Sequence, residues 1–173
     1  MNHVKLYTIG HSNLPIEKFI FELKKNSINT LVDIRSIPGS NANPQFNAEK
    51  LRKSLEENSI AYVWMKDLGG RRYGLGRKSL NNCWKNQSFR GYADYMETDD
   101  FKKGAESLMS LAKSGVACIM CGESLYWRCH RVMVSDYLKS KKVNVLHIVG
   151  IGKPIPHKYT ECARIRHGEL SYR

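Results

Sequence analysis

No apolar run in this sequence approaches the roughly 20 residues that a membrane-crossing helix needs. The opening MNHVKLYTIGHS has no charged stretch followed by an apolar signal core, so a cytoplasmic chain is expected, with no membrane partner. Cysteine is sparse and odd in number, five in 173 residues, which argues against a disulfide-stapled miniprotein. It predicts thiols that are mostly free in a reducing compartment. Internal repeats, low-complexity tracts and a convincing linker are missing as well. With 42% hydrophobic residues at this length, one domain spanning 1–173 around a sizeable core is expected.

Acidic residues are the other shortage. Sixteen face 28 basic ones, a net charge of +12. Such an excess favours an anionic partner, nucleic acid or nucleotide, over a basic surface that serves solubility alone.

What is present alternates. Val4 to Ile9, Thr30 to Ile34, Ala61 to Met65, Val116 to Met120 and Val143 to Ile148 are rich in β-branched and aromatic residues, and each fits a buried strand. Between the first two, Ile16, Phe19, Ile20 and Leu23 repeat at helical spacing behind Pro15. Asn47 suits the cap of a helix carrying Leu51 and Leu55, and Thr98-Asp99-Asp100 opens one carrying Phe101, Ala105, Leu108 and Ala112. A further helix is expected from about Cys129 to Leu138. Strand and helix in turn predict an α/β fold, a mainly parallel five-stranded sheet with helices on both faces in a Rossmann-like three-layer arrangement.

Polar residues follow the strands. Gly10-His11-Ser12 comes after the first, Asp33-Ile34-Arg35-Ser36 ends the second, Cys121-Gly122-Glu123 ends the fourth, and Cys129-His130-Arg131 opens a helix. In an open parallel sheet the loops at the carboxyl ends of the strands line one crevice, so these distant clusters should converge. Asp33 sits in a buried run and pairs with Arg35 or contacts a ligand. Glu123 is a general acid, base or nucleophile, or else a helix-start charge or a partner of Arg131. Cys129 falls on a stripe with Val132, Met133 and Tyr137, which suits a core thiol; its place near a helix start beside His130 and Arg131 would instead favour a thiolate. Cys121 shares that ambiguity. Cys118-x-x-Cys121 resembles half a zinc knuckle, but residues three apart on a strand face opposite sides and no second pair completes the set. No metal and no cofactor is expected.

Two stretches break the rhythm. Ser36 to Phe46 reads as an ordered loop. Lys66 to Tyr92 is a longer insertion holding Lys66, Arg71, Arg72, Arg77, Lys78, Lys85 and Arg90 against the single acid Asp67, interleaved with Tyr73, Trp84, Phe89 and Tyr92. Cations can follow phosphates while aromatic faces stack on unpaired bases; the alternative is a solvated flap whose aromatics pack on the sheet. Its glycines form no phosphate-cradling Gly-Lys-Ser/Thr loop. Lys139 onward adds a second basic region ending in Arg164, Arg166 and Arg173.

The ordered set Thr8-Ile9-Gly10-His11-Ser12, Asp33-Ile34-Arg35-Ser36-Ile37-Pro38, Leu68-Gly69-Gly70, Tyr92-Ala93-Asp94-Tyr95-Met96, Cys121-Gly122-Glu123, Cys129-His130-Arg131 and His147-Ile148 resembles the bacterial and archaeal family called domain of unknown function 488. The resemblance runs from about Leu6 to His147, and the segment from about Gly150 to Arg173 carries no motif of it. It implies an α/β fold with a polar cleft built from these motifs, and it leaves the chemistry open.

These readings lead to an expected enzyme on nucleic acid or nucleotides, working by hydrolysis or transfer at a glycosidic or phosphoester bond. The candidate catalytic residues are Glu123, Asp33, Cys121 and His130. The candidate substrate- or anion-binding residues are His11, Ser12, Arg35, Ser36, Cys129, Arg131, Arg71, Arg72, Tyr73, Lys78 and Tyr95. The alternatives are a non-catalytic nucleic-acid-binding module and cysteine-dependent sulfur or redox chemistry.

Overall fold

Alternation along the strands decides the layers. A computed structural model describes residues 4–150 and 152–173. Its strands β1 (Lys5–Gly10), β2 (Thr30–Asp33), β3 (Ala61–Trp64), β4 (Ala117–Cys121) and β5 (Asn144–Ile148) pair in parallel, as expected. A sixth strand, β6 (Ile155–Pro156), adds antiparallel to β5, giving the order β3-β2-β4-β1-β5-β6. Two residues, one of them proline, are too few to carry a period-two signal, which is why the edge strand escapes a sequence reading. A small hairpin, β7 (Arg164–Arg166) and β8 (Glu169–Ser171), forms a separate sheet.

Helices α1 (Ile16–Lys25) and α2 (Ala48–Glu56) bury Phe19, Leu23, Leu51 and Leu55 against Tyr7, Ile9, Leu31, Cys118 and Met120 on one face. Helices α3 (Gln87–Met96), α4 (Asp99–Ser114) and α5 (Arg131–Ser140) bury Tyr92, Phe101, Leu108 and Met133 against Leu6, Val32, Ile119 and Val145 on the other. Neighbouring strand residues thus go to opposite layers, as the pleat requires. Among the described residues no helix is long and apolar enough to cross a membrane.

Local chemistry sets the helix starts. Thr98 caps α4 through its hydroxyl, which accepts from the Phe101 amide. Asn47 precedes α2 without capping it: its Oδ1 accepts from the Ser40 amide at 2.6 Å and closes the preceding loop instead. Asn86 accepts from the Ser88 and Phe89 amides and starts α3, a helix inside the stretch expected to be irregular.

The insertion before α3 is pinned down. The Tyr92 hydroxyl donates to the Leu68 carbonyl, and Asp94 accepts from the Leu75 amide, the Ser79 hydroxyl and the Asn81 side-chain amide. A disulfide joins Cys83 in the insertion to Cys162 in the C-terminal segment, so the expected free thiols are Cys118, Cys121 and Cys129 only. That segment is also held by a buried polar chain. Thr8 Oγ1 lies 2.7 Å from His147 Nδ1, His147 Nε2 lies 2.9 Å from His157 Nδ1, and His157 Nε2 lies 3.0 Å from Asp136, which also accepts from Thr160 and Tyr172.

The topology places the site. The chain leaves β2 toward β3 on one side, and leaves β4 toward β5 on the other, although β2 and β4 are neighbours. Their loops diverge and leave a crevice between them, the switch point at which open α/β sheets bind ligands.

Candidate active site around Cys129

The crevice is a cleft of about 450 Å³ whose walls include Arg35 and Ser36 after β2, Cys121, Gly122 and Glu123 after β4, and Arg128, Cys129 and His130 ahead of α5. Gly70 and Arg71 from the insertion and Phe89 and Tyr92 from α3 complete it. The expected convergence of polar strand ends therefore holds for three of the four clusters.

Arg131 organises the floor. Its side chain is 1% exposed and, among the described residues, no carboxylate forms an ion pair with it. Its Nε donates to Cys121 Sγ at 3.1 Å, its Nη2 donates to the Glu123 and Ser124 carbonyls, and its backbone amide lies 3.5 Å from Cys129 Sγ. A buried guanidinium without a counter-charge is costly. The nearest groups able to supply a negative charge are the two sulfurs.

The thiols respond in opposite senses. Cys129 is held well below the ordinary thiol range by the hydrogen bond from Cys121, helped by His130 and Arg131. Burial pushes Cys121 well above that range, and its hydrogen bond to Cys129 adds to the effect. A negative charge on this pair is thus favoured on Cys129 over Cys121. The His130 ring completes the arrangement: its Nδ1 lies 3.4 Å from Cys129 Sγ, and its Nε2 lies 3.1 Å from the Ile34 carbonyl. Donation from Nε2 to that carbonyl leaves Nδ1 to take the thiol proton, the nucleophile, base and orienter relation of covalent catalysis. Cys129, ahead of the first turn of α5, also receives the positive end of the helix dipole.

Gly70 makes this possible by having no side chain. A Cβ there would stand 2.5 Å from His130 Nδ1. Gly10 is required in the same way beneath, where a Cβ would run into the Glu123 carbonyl and Arg131 Nη2.

A family model described as Domain of unknown function DUF488 matches residues 15–138. The chain belongs to that family. No curated protein and no solved structure matches it. The DUF488 match takes in every cleft residue named above, while His11, Ser12 and the C-terminal segment lie outside it.

Within DUF488, then, several expected roles move. Asp33 is 0% exposed and its oxygens are taken by Arg35, at 2.9 Å from Nε and 2.6 Å from Nη2, and by the Tyr62 hydroxyl at 2.8 Å. It is the structural pair, not a carboxylate open to sugar or water. Arg35 is spent on Asp33 and the Phe46 carbonyl, with Nη1 3.4 Å from His11. His11 stacks on Phe46, sits against the Ser12 carbonyl through Nδ1, and is lowered by burial. Ser12 lines a different groove, beside Phe21 and Ile148. Arg131 holds the floor and does not line the cleft, so it is not the expected anion binder. Arg72 is folded over the Tyr95 ring and donates to the Gly69 and Lys66 carbonyls, so this pair staples the insertion. Tyr73 and Lys78 are exposed outside the cleft walls. Trp84 packs edge-on to Phe89 and Tyr172, and Tyr92 is buried, so neither offers a face for a base.

Glu123 is exposed at the cleft wall and does not pair with Arg131. Its Oε1 accepts from the Ser124 hydroxyl and the Leu125 amide. Ser36 accepts from the Arg71 amide at 2.9 Å, which brings the insertion to the β2 loop. Arg128 was missed by the sequence reading; its adjacency to Cys129-His130-Arg131 was the available signal. Cys118 lies in the opposite layer from Cys121. Among the described residues no group of three or more His, Cys, Asp or Glu side chains gathers as a metal site.

Proposed function

We propose that this protein is an enzyme that breaks a phosphoester bond in a nucleotide or nucleic-acid substrate, with Cys129 as the nucleophile. The observation that carries the reading is a sulfur flanked by His130 and the Arg131 amide in a cleft that also presents Arg71 and Arg128. A thiolate is a strong nucleophile, and a cationic rim brings a phosphate to it against the thiolate's own charge. The sulfur attacks phosphorus and the P–O ester bond breaks. Glu123 gives the leaving oxygen its proton. Water, deprotonated by the Glu123 carboxylate, then releases phosphate from sulfur. A glycosidic version loses support, because it needs a second carboxylate and Asp33 is closed off. The basic insertion, with Arg77, Lys78 and the fully exposed Tyr73, suits the remainder of a nucleic-acid strand. A cytoplasmic setting is proposed, one that keeps Cys121 and Cys129 as thiol and thiolate, with the Cys83–Cys162 bond as the exception to the free thiols such a compartment favours.

The test is single-turnover hydrolysis of a panel of nucleotides and short single-stranded oligonucleotides. Cys129→Ser should abolish turnover while leaving oligonucleotide affinity within about twofold. With a p-nitrophenyl ester, whose leaving group needs no proton, Glu123→Gln should accumulate a phosphoryl group on Cys129, visible as a mass increase. Full activity of Cys129→Ser on a hydrolysed substrate would remove the nucleophile. Salt-sensitive oligonucleotide binding with no turnover across the panel would favour the binding-module reading instead.

A further inference from the structure

Cys121 has no step in the chemistry above, yet it is held by the same arginine that contacts the reactive sulfur. A core thiol would face hydrocarbon. This one receives a charged guanidinium at 3.1 Å, from the residue whose backbone amide lies 3.5 Å from Cys129 Sγ. Both sulfurs belong to the same cleft wall, at 3% and 7% exposure, which opens them to a small oxidant entering the cleft. The chain between them, 122–128, is bends and one 3-10 turn, which can follow a small sulfur displacement. Cys118 lies across the sheet, and Cys83 and Cys162 are already joined, so Cys121 is the thiol within reach.

We infer that Cys121 is a resolving thiol: a hydroperoxide oxidises Cys129, and Cys121 captures the product as a Cys121–Cys129 disulfide that reversibly closes the site. The inference rests on Cys129 being the nucleophile of the preceding reading, and not on the substrate proposed there. The Cys129 thiolate attacks one peroxide oxygen and the O–O bond breaks. This leaves Cys129–SOH and a hydroxide or alkoxide that takes a proton from solvent. The Cys121 sulfur then attacks the Cys129 sulfur, the S–O bond breaks, and the departing hydroxide leaves as water with the Cys121 proton. The peroxide is reduced and the two thiols are oxidised by two electrons. The Arg131 guanidinium favours the second step by stabilising negative charge as it develops on Cys121.

The experiment treats the whole protein with hydrogen peroxide in the presence of dimedone, which traps sulfenic acid, and maps peptides without reduction. The wild type should give a Cys121–Cys129 linked peptide, short of two hydrogens, with little dimedone adduct. Cys121→Ala and Cys121→Ser should each lose the link and gain at least a tenfold larger dimedone adduct at Cys129, going on to sulfinic acid. Cys118→Ala should behave as wild type. Equal dimedone adduct at Cys129 in wild type and both Cys121 variants would overturn the inference, and so would oxidation confined to methionines. A linked peptide in a protein that hydrolyses no phosphoester would defeat the substrate reading alone.

Discussion

Arg131 Nε donates to Cys121 Sγ at 3.1 Å, and this cation meets no carboxylate among the described residues. A guanidinium keeps its charge at any accessible pH, and the titratable groups that interact with this one are the two sulfurs. The relationship joins a candidate catalytic thiol and an expected anion binder into one electrostatic unit with Cys129.

That unit predicts non-additive substitutions. Arg131→Met should cost about 3 to 5 kcal/mol of folding stability, because it strands a buried thiolate or forces its protonation. It should also slow iodoacetamide labelling of Cys129 at neutral pH. Arg131→Met combined with Cys129→Ser should lose at least about 1 kcal/mol less than the two single losses added together. Urea unfolding of the four proteins measures this, and strict additivity would contradict a shared charge.

Gly70→Ala tests the imidazole. The added methyl would stand 2.5 Å from His130 Nδ1, inside contact distance, so the ring must shift away from Cys129. The expected result is a drop in Cys129 labelling rate of about tenfold or more at neutral pH, with the loss concentrated below the ordinary thiol range. Far-UV circular dichroism should be unchanged, since Gly70 lies in the insertion and not within a helix or strand. Wild-type labelling in Gly70→Ala would show that His130 does not activate the sulfur.

The buried His147 gives acid sensitivity. Burial, with the nearby His157 and Arg131, pushes it down to about 3 from the ordinary 6.5. It is faced by Thr8, His157 and the flat-stacked Tyr126 ring. Between those two values the unfolded chain binds a proton that the folded chain refuses. Stability from this group is therefore present above about 6.5 and lost as pH falls toward about 3. His147→Gln should be less stable at pH 7 yet lose less on acidification to pH 5 than wild type, read from urea midpoints. Equal losses would mean that another group sets the acid slope.

The sheet was legible because Thr30 to Ile34, Val116 to Met120 and Val143 to Ile148 are short runs rich in β-branched residues, and the cleft because polar residues follow β2 and β4. Helix α3 was hidden: its starting Asn86 and its first turn sit in a basic, glycine-rich stretch that reads as loop. The division of labour between Arg128 and Arg131 was hidden too. Which of two near neighbours turns inward depends on the rotation of α5 as it docks, a tertiary quantity. Asp33 and Arg35 showed their pairing through strand alternation, but not that Tyr62 completes it from β3. The Cys83–Cys162 bond spans a separation of 79 residues and has no local signature.

That bond crosses the edge of the family match, with Cys83 inside it and Cys162 beyond. It bolts the cleft's neighbouring insertion to a tail that is itself moored through His157, Thr160 and Tyr172 on Asp136. Trimming the tail would therefore reach the mouth of the cleft mechanically, by slackening a tether, with no residue of that mouth altered.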